Sequence, residues 1–355
     1  MDIFEPARAI LRQGVADKAF PAASIEVGDG TRVLWSEAFG RLTFDETAPP
    51  ARSDTIFDLA SLTKVLATTP IVMQQIERGT VALDDRVAGR LSSWRGADRA
   101  KVTIRDLLSH CSGLPGYLPL FRDHRGRAAF ERAIGSLPLE YAPRTTSIYS
   151  DLGFMLLGFI VEDAGELPLD RRFDTLTGHM GIVDRVQFTP PIQWAKDTAP
   201  TEYDPWRGRL LVGEVHDENA WALDGVAAHA GLFGTAAAVG GYARHLLQVL
   251  AGRTGAFARS TVEAFVSRRG DVPGSSRALG WDTMLPSSSC GSRMSARAFG
   301  HTGFTGTSLW IDPDRGLYVV LLTNRVHPVR TNEAIRGIRP ALHDAVMGAL
   351  PLPRS

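Results

Sequence analysis

The chain has 355 residues, 44% of them hydrophobic and 22% charged, with a formal net charge of zero and an isoelectric point near 7.1. Those proportions suit a globular chain with a substantial core, and a neutral balance gives no electrostatic case for nucleic acid or an anionic membrane surface. No apolar run approaches the ~18 residues a membrane span needs, and the basic-then-apolar order of a signal peptide is missing from "MDIFEPARAILRQGVADKAF", so a cytoplasmic location is expected. Cys111 and Cys290, far apart and in no CxxC pattern, are expected to be reduced structural thiols.

In chain order, Phe4, Ala7, Leu11 and Val15 recur at helical spacing and predict an opening amphipathic helix, which Gly14 weakens. "AASIEVG" and "RVLWSEAFG" read as two strands around an Asp29-Gly30 turn. Asp58 to Gly79 reads as a helix capped by Asp58 and stopped by Gly79, with a kink or break at Pro70. Helix signals follow at "TIRDLLSHC" and "DLGFMLLGFIVEDAG", and after "HAGLFGT" over Ala236 to Leu250. "LGWDTMLP", "ARAFGHTG", "TSLWIDP" and "LYVVLLTNRV" read as strands, with "DPDRG" turning between the last two. A last helix spans Asn332 to Leu350, with Ile335, Ile338, Leu342 and Val346 on one side.

Strands at both ends with helices between predict an α+β fold: an antiparallel sheet flanked by terminal helices, plus an inserted, mainly helical lobe. The expected division is one domain of two lobes, an α/β lobe of residues 1–58 with 230–355 and a mainly helical lobe of residues 59–229. A cleft between lobes is a usual place for a site.

Ser61 and Lys64 stand three apart, close enough on a helix to touch. A serine needs a neighbouring base to become a nucleophile, and a buried lysine amine can be one. The chain has only four lysines, Lys18, Lys64, Lys101 and Lys196, against 35 arginines, so lysine stands where a basic group that can lose its proton is useful. In the first turn of a helix the Ser61 N–H has no helical partner and can face an oxyanion. Tyr149 and Asp151 in "IYSDLGFMLLG" are the next candidates; Tyr149 can shuttle a proton, while Asp151 reads equally well as an N-cap. His301, Thr302 and Gly303 lie at a strand end where a glycine allows close backbone approach, and the Phe304 N–H is a second candidate oxyanion donor. Each motif alone has a plain structural reading; their order along the chain is what is specific.

Ser-x-x-Lys, then Tyr-x-Asp, then His-Thr-Gly resembles the beta-lactamase and penicillin-binding serine hydrolases, especially class C beta-lactamases, D-alanyl-D-alanine carboxypeptidases and related carboxylesterases. "FDLASLTK", "LLSHCSGLP", "YSDLGFMLLG", "HAGLFGT" and "LYVVLLTNR" look like segments of that family, over Ala22 to Asn324. The resemblance implies the beta-lactamase/transpeptidase-like fold and acyl transfer without a cofactor or metal. Ser61 would be the nucleophile, Lys64 and Tyr149 the proton carriers, and the Ser61 and Phe304 N–H groups the oxyanion site. It implies a small ester, amide or D-amino-acid peptide as substrate.

Two departures bear on that substrate. Where the family has Tyr-x-Asn, this chain has Asp151, which when ionised only accepts hydrogen bonds and favours a charged Lys64. Where beta-lactamases usually have lysine, it has His301, whose charge near neutral pH is not assured. Both argue against efficient beta-lactamase activity and for an esterase or D-amino-acid peptidase; a penicillin-binding sensor with little turnover is the non-enzymatic alternative. His216, Asp217, Glu218 and Asn219, with His229 downstream, lack metal-site spacing and read as a polar loop lining the cleft; Trp206 and Trp221 are candidates for an apolar wall there, with a core or loop-packing role as the default for each. His110 reads as a helix-end or surface residue. Oligomeric state is left open by the sequence.

Overall fold

A computed structural model describes residues 2–351. The strands are β1 (Ala22–Asp29), β2 (Val33–Gly40), β3 (Phe57–Asp58), β4 (Val186–Phe188), β5 (Tyr203–Asp204), β6 (Arg209–Leu210), β7 (Leu232–Gly234), β8 (Asp282–Thr283), β9 (Phe299–Thr302), β10 (Ser308–Asp312) and β11 (Leu317–Thr323). The α-helices are α1 (Glu5–Ala16), α2 (Thr69–Glu77), α3 (Val87–Arg90), α4 (Ile104–Leu108), α5 (Gly126–Ser136), α6 (Asp151–Gly165), α7 (Leu169–Met180), α8 (Glu218–Ala222), α9 (Ala236–Leu250), α10 (Arg259–Val266) and α11 (Ile335–Ala349). Among the described residues, no helix is long and apolar enough to cross a membrane.

Six strands form an antiparallel sheet in the order β2-β1-β11-β10-β9-β8. The pairing of β1 with β11 runs from Ala23 opposite Thr323 to Asp29 opposite Leu317, which unites the two ends of the chain. Strand side chains alternate between faces. In β11, Leu317, Val319 and Leu321 join Phe4, Leu11, Leu342 and Val346 under α1 and α11. Tyr318, Val320 and Leu322 point the other way, into the core shared with α9 and the central helices. Both faces are covered, so the strand is buried throughout. Gly14 does not interrupt α1; a Cβ there would lie 2.7 Å from the Phe20 ring, so glycine allows that ring to pack against the helix.

A second sheet, β3-β7-β4, sets "FDLASLTK" against "HAGLFGT", with Phe57 opposite Gly234 and Asp58 opposite Phe233. This pairing overturns the expected helix start. Asp58 is strand, not N-cap; its carboxylate accepts from the N–H groups of Ala60 (2.8 Å) and His216 (2.7 Å). The helical backbone begins just after Ser61 and passes through a π-helical stretch, Lys64–Thr68, before α2. Pro70 lies at the junction between that π-helical stretch and α2, inside continuous helical backbone, so the chain does not leave the helix there and the expected break is absent.

The core of the helical region is α6, whose residues Leu152 to Val161 are all buried. Its N-cap is Ser150 and not Asp151: the Ser150 hydroxyl accepts from Gly153 N–H at 3.2 Å and donates to the Pro115 carbonyl at 2.7 Å. Asp151 is thereby free to use its carboxylate elsewhere.

Candidate active site

Ser61 is placed by the short turn that follows β3. Ala60 adopts a left-handed φ of 47°, and Leu59 is held by β7 through its N–H to the Leu232 carbonyl at 2.9 Å. The Thr63 hydroxyl, which donates to the Ala60 carbonyl at 2.7 Å, also accepts from Leu232 N–H at 3.1 Å. The turn is braced on both sides before any ligand arrives.

Lys64 is fully buried, and its ammonium meets three oxygens: Asp151 Oδ1 at 2.6 Å, the His229 carbonyl at 2.9 Å and Ser61 Oγ at 3.0 Å. The three acceptors match its three N–H groups in number. Burial pushes the amine toward the neutral form, but the Asp151 charge and the neighbouring Tyr149 outweigh it and hold its pKa above the ordinary lysine value. Nζ also lies 4.9 Å from the centre of the Tyr149 ring. The Tyr149 hydroxyl is buried beside Ser61 and Lys64 yet aligned for a hydrogen bond with neither, and its pKa is raised by burial, an effect Lys64 only partly offsets.

Behind Tyr149 stands His110, which follows the C-cap of α4, in keeping with a helix-end position but not with a surface one. It is buried, its ring stacks on Phe154 at 5.2 Å and lies 4.7 Å from Tyr149, and Nδ1 accepts from Ser150 N–H at 3.0 Å. Burial and the nearby cations hold it neutral, far below the usual histidine value.

The strand side is fixed by threonines. The hydroxyl of Thr305 donates to the Asp58 carbonyl at 2.7 Å, and that of Thr307 to the Leu59 carbonyl at 3.1 Å. A Cβ on Gly303 would sit 2.0 Å from Thr307 Oγ1 and 2.7 Å from the Leu59 carbonyl, so only glycine allows this approach. Gly303 and Phe304 thus lie against the turn that carries Ser61, and neither the Ser61 nor the Phe304 N–H donates a hydrogen bond within the described residues. His301 is buried and neutral: Nδ1 faces the Thr302 carbonyl at 2.8 Å and is its donor, while Nε2 is unpartnered. Burial, with Lys64 and Arg277 nearby, drives its pKa well down.

Two cavities meet at Ser61. One, about 300 Å³, runs past Tyr149, His301, Thr302 and Gly303 toward Arg277, Arg325, Arg336 and Arg339. The other, about 350 Å³, is lined by Tyr117, Asp151, Ala230, Phe304, Arg330 and the 216–218 segment, with more apolar than polar wall. His216, Asp217 and Glu218 line this cleft as expected, whereas the Asn219 amide ties α8 to the backbone of Leu118 and Phe121. The segment's side chains diverge: His216 pairs with Glu202 at 2.9 Å, Asp217 with His229 at 2.9 Å, and Glu218 with Arg330 at 2.8 Å. Trp206 and Trp221 stand outside both cavities, packed edge-to-face on each other at 5.2 Å. The four arginines at the first cavity carried no sequence signal, being scattered among many; His110 was hidden because its role depends on burial.

Serine, lysine and tyrosine around two undonated N–H groups make an arrangement suited to acyl transfer. Residues 7–343 match the family model described as Beta-lactamase. A protein of Salmonella gallinarum named "Putative D-alanyl-D-alanine carboxypeptidase" is 30% identical over 95% of this chain and 89% of its own length. Among solved structures, a class C beta-lactamase from Rhodobacter sphaeroides superposes with a TM-score of 0.77 at 19% identity, covering 98% of this chain and 100% of that one. EstCE1, a hydrolase with promiscuous acyltransferase activity, superposes with a TM-score of 0.76 at 20% identity, covering 98% of both chains. The chain belongs to the beta-lactamase family and has its fold.

Proposed function

We propose that this protein is a serine hydrolase that cleaves a small ester or amide through an acyl-Ser61 intermediate. The observation that carries the proposal is the 3.0 Å contact between Ser61 Oγ and the buried Lys64 Nζ, beside two undonated backbone N–H groups. Ser61 Oγ attacks the substrate carbonyl carbon, and its proton passes to the Lys64–Tyr149 pair. The carbonyl oxygen takes the charge and is held by the Ser61 and Phe304 N–H groups. The pair then returns a proton to the leaving group, and water releases the acyl group by the reverse sequence. Thr302 and Gly303 form the backbone wall along which the substrate lies. Both Lys64 and Tyr149 have raised pKa values, so the pair holds its protons at neutral pH and acylation speeds up as pH rises.

A second reading, a D-alanyl-D-alanine carboxypeptidase or D-aminopeptidase, is favoured by the first cavity, where Arg277, Arg325, Arg336 and Arg339 outnumber the carboxylates Asp282 and Glu333, an excess of positive charge that suits a substrate bearing a carboxylate. Intact-protein mass after brief exposure to a p-nitrophenyl ester, and separately to a penicillin, tests both, with p-nitrophenol release followed in the ester tubes. An adduct or turnover that disappears in Ser61→Ala establishes the nucleophile. Faster reaction with the ester supports the first reading, and faster reaction with penicillin the second. A stable adduct without release marks a penicillin-binding sensor. With neither adduct nor turnover, the acyl-serine proposal is wrong.

A further inference from the structure

Arg339 enters the site from the second turn of α11, with 8% of its surface exposed. Its Nη2 donates to the carbonyl oxygens of Gly303 and Thr307, both at 2.8 Å. No carboxylate among the described residues pairs with it. Burial, with Arg325 nearby, lowers its pKa to about 10, which leaves it charged at neutral pH. The Gly303 carbonyl accepts a second hydrogen bond, from Gly306 N–H at 3.1 Å. That carbonyl and the Phe304 N–H belong to one peptide group.

An amide is a resonance unit, so a donor on its oxygen draws density from nitrogen and makes the N–H a stronger donor. A cationic donor in a low-dielectric setting does this most strongly. Arg325 provides an internal contrast. Its Nε donates to the Phe304 carbonyl at 2.8 Å, which is in the next peptide group along the chain. Its Nη1 holds the carbonyls of Arg330 (2.9 Å) and Asn332 (2.7 Å).

We infer that Arg339 is a positioning residue that polarises and fixes the Gly303–Phe304 peptide, so that the Phe304 N–H is a strong oxyanion donor. The inference rests on the acyl-serine reading above. It predicts that loss of the Arg339 guanidinium weakens transition-state binding even for a substrate with no anionic group to contact.

The test is steady-state hydrolysis of p-nitrophenyl acetate by the full chain, together with inhibition by phenylboronic acid, whose tetrahedral adduct on Ser61 places an oxygen in the oxyanion site. This ester carries no anion, so a loss measured on it is not lost anion binding. Removing an oxyanion donor outright costs about 100-fold or more in kcat, and an effect relayed through the peptide is smaller. Arg339→Gln is expected to lower kcat about ten-fold with KM within about three-fold, and to raise the phenylboronic acid Ki about as much as kcat falls. Arg325→Gln is expected to lose clearly less. A folded Arg339→Gln with wild-type kcat and Ki overturns the inference, as does an equal loss in Arg325→Gln, which would mark general packing. If Arg339→Gln does not fold, Arg339→Lys keeps the charge on a shorter, unforked donor. An intermediate rise in Ki then supports the inference, and a wild-type Ki overturns it. Failure of the underlying reading looks different: the wild type would then resist phenylboronic acid, or Ser61→Ala would keep its activity.

Discussion

Asp151 determines which protonation state Lys64 rests in. At 2.6 Å its carboxylate is the largest of the effects that oppose the burial of the amine, with Tyr149 beside it. An asparagine there would remove that effect, and Lys64 would shed its proton at lower pH. Asp151→Asn is therefore expected to move the acidic limb of the kcat/KM profile to lower pH, and to raise amide relative to ester turnover by restoring a donor to the cleft. A pH-rate series on paired ester and amide substrates checks this; an unmoved limb would show that Asp151 does not govern the proton. At this scale much was legible from residue type: Ser61 and Lys64 from their spacing and the scarcity of lysine, Asp151 from its charge. Its effect on Lys64 follows from that charge, as the 2.6 Å contact bears out; the cap that Ser150 takes in its place was not legible. Two adjacent residues, both good N-caps, differ by one position in where the helix starts, and local sequence does not choose between them.

Among elements, α9 occupies Ala236 to Leu250 as expected, and the last three strands fall within the segments read as strands. The start of the Ser61 helix does not, because β3 pairs with β7 and draws Asp58 into a sheet, a contact between residues some 175 apart that no local window contains. The Asp58 carboxylate now satisfies two N–H groups. Asp58→Ala would leave both buried and unpaired, and is expected to destabilise the fold by about 3 kcal/mol in urea unfolding. The Gly303 approach makes a sharper test. Gly303→Ala forces the strand away from Ser61 and is expected to slow ester hydrolysis about 100-fold, as measured by p-nitrophenol release, with a near-native circular dichroism spectrum.

Across the whole molecule, acid should be more damaging than the neutral net charge suggests. His343 on α11 is fully buried without a hydrogen-bond partner among the described residues, and its pKa is lowered from 6.5 to about 3. The unfolded chain binds this proton first, so the stability tied to neutral His343 is complete above pH 6.5 and drains away as pH falls toward 3. The loss attributable to this side chain reaches about 4 kcal/mol. His343→Leu is expected to flatten the decline of thermal midpoint between pH 6.5 and 4; an unchanged slope would assign the acid sensitivity to other groups. The general architecture was legible because terminal strands and terminal helices have few ways to pack other than against each other. The arginine-lined cavity was not, since it forms only when residues 277, 325, 336 and 339 are brought together.

The β1–β11 pairing ties residues near the start of the chain to residues near its end, Ala23 to Thr323 and Asp29 to Leu317, so the central sheet closes only when almost the whole chain is present. A fragment ending before β11 lacks the strand that joins β1 to β10, and the sheet would be divided into β2-β1 and β10-β9-β8. Such a fragment is expected to be cut by protease faster than the full chain.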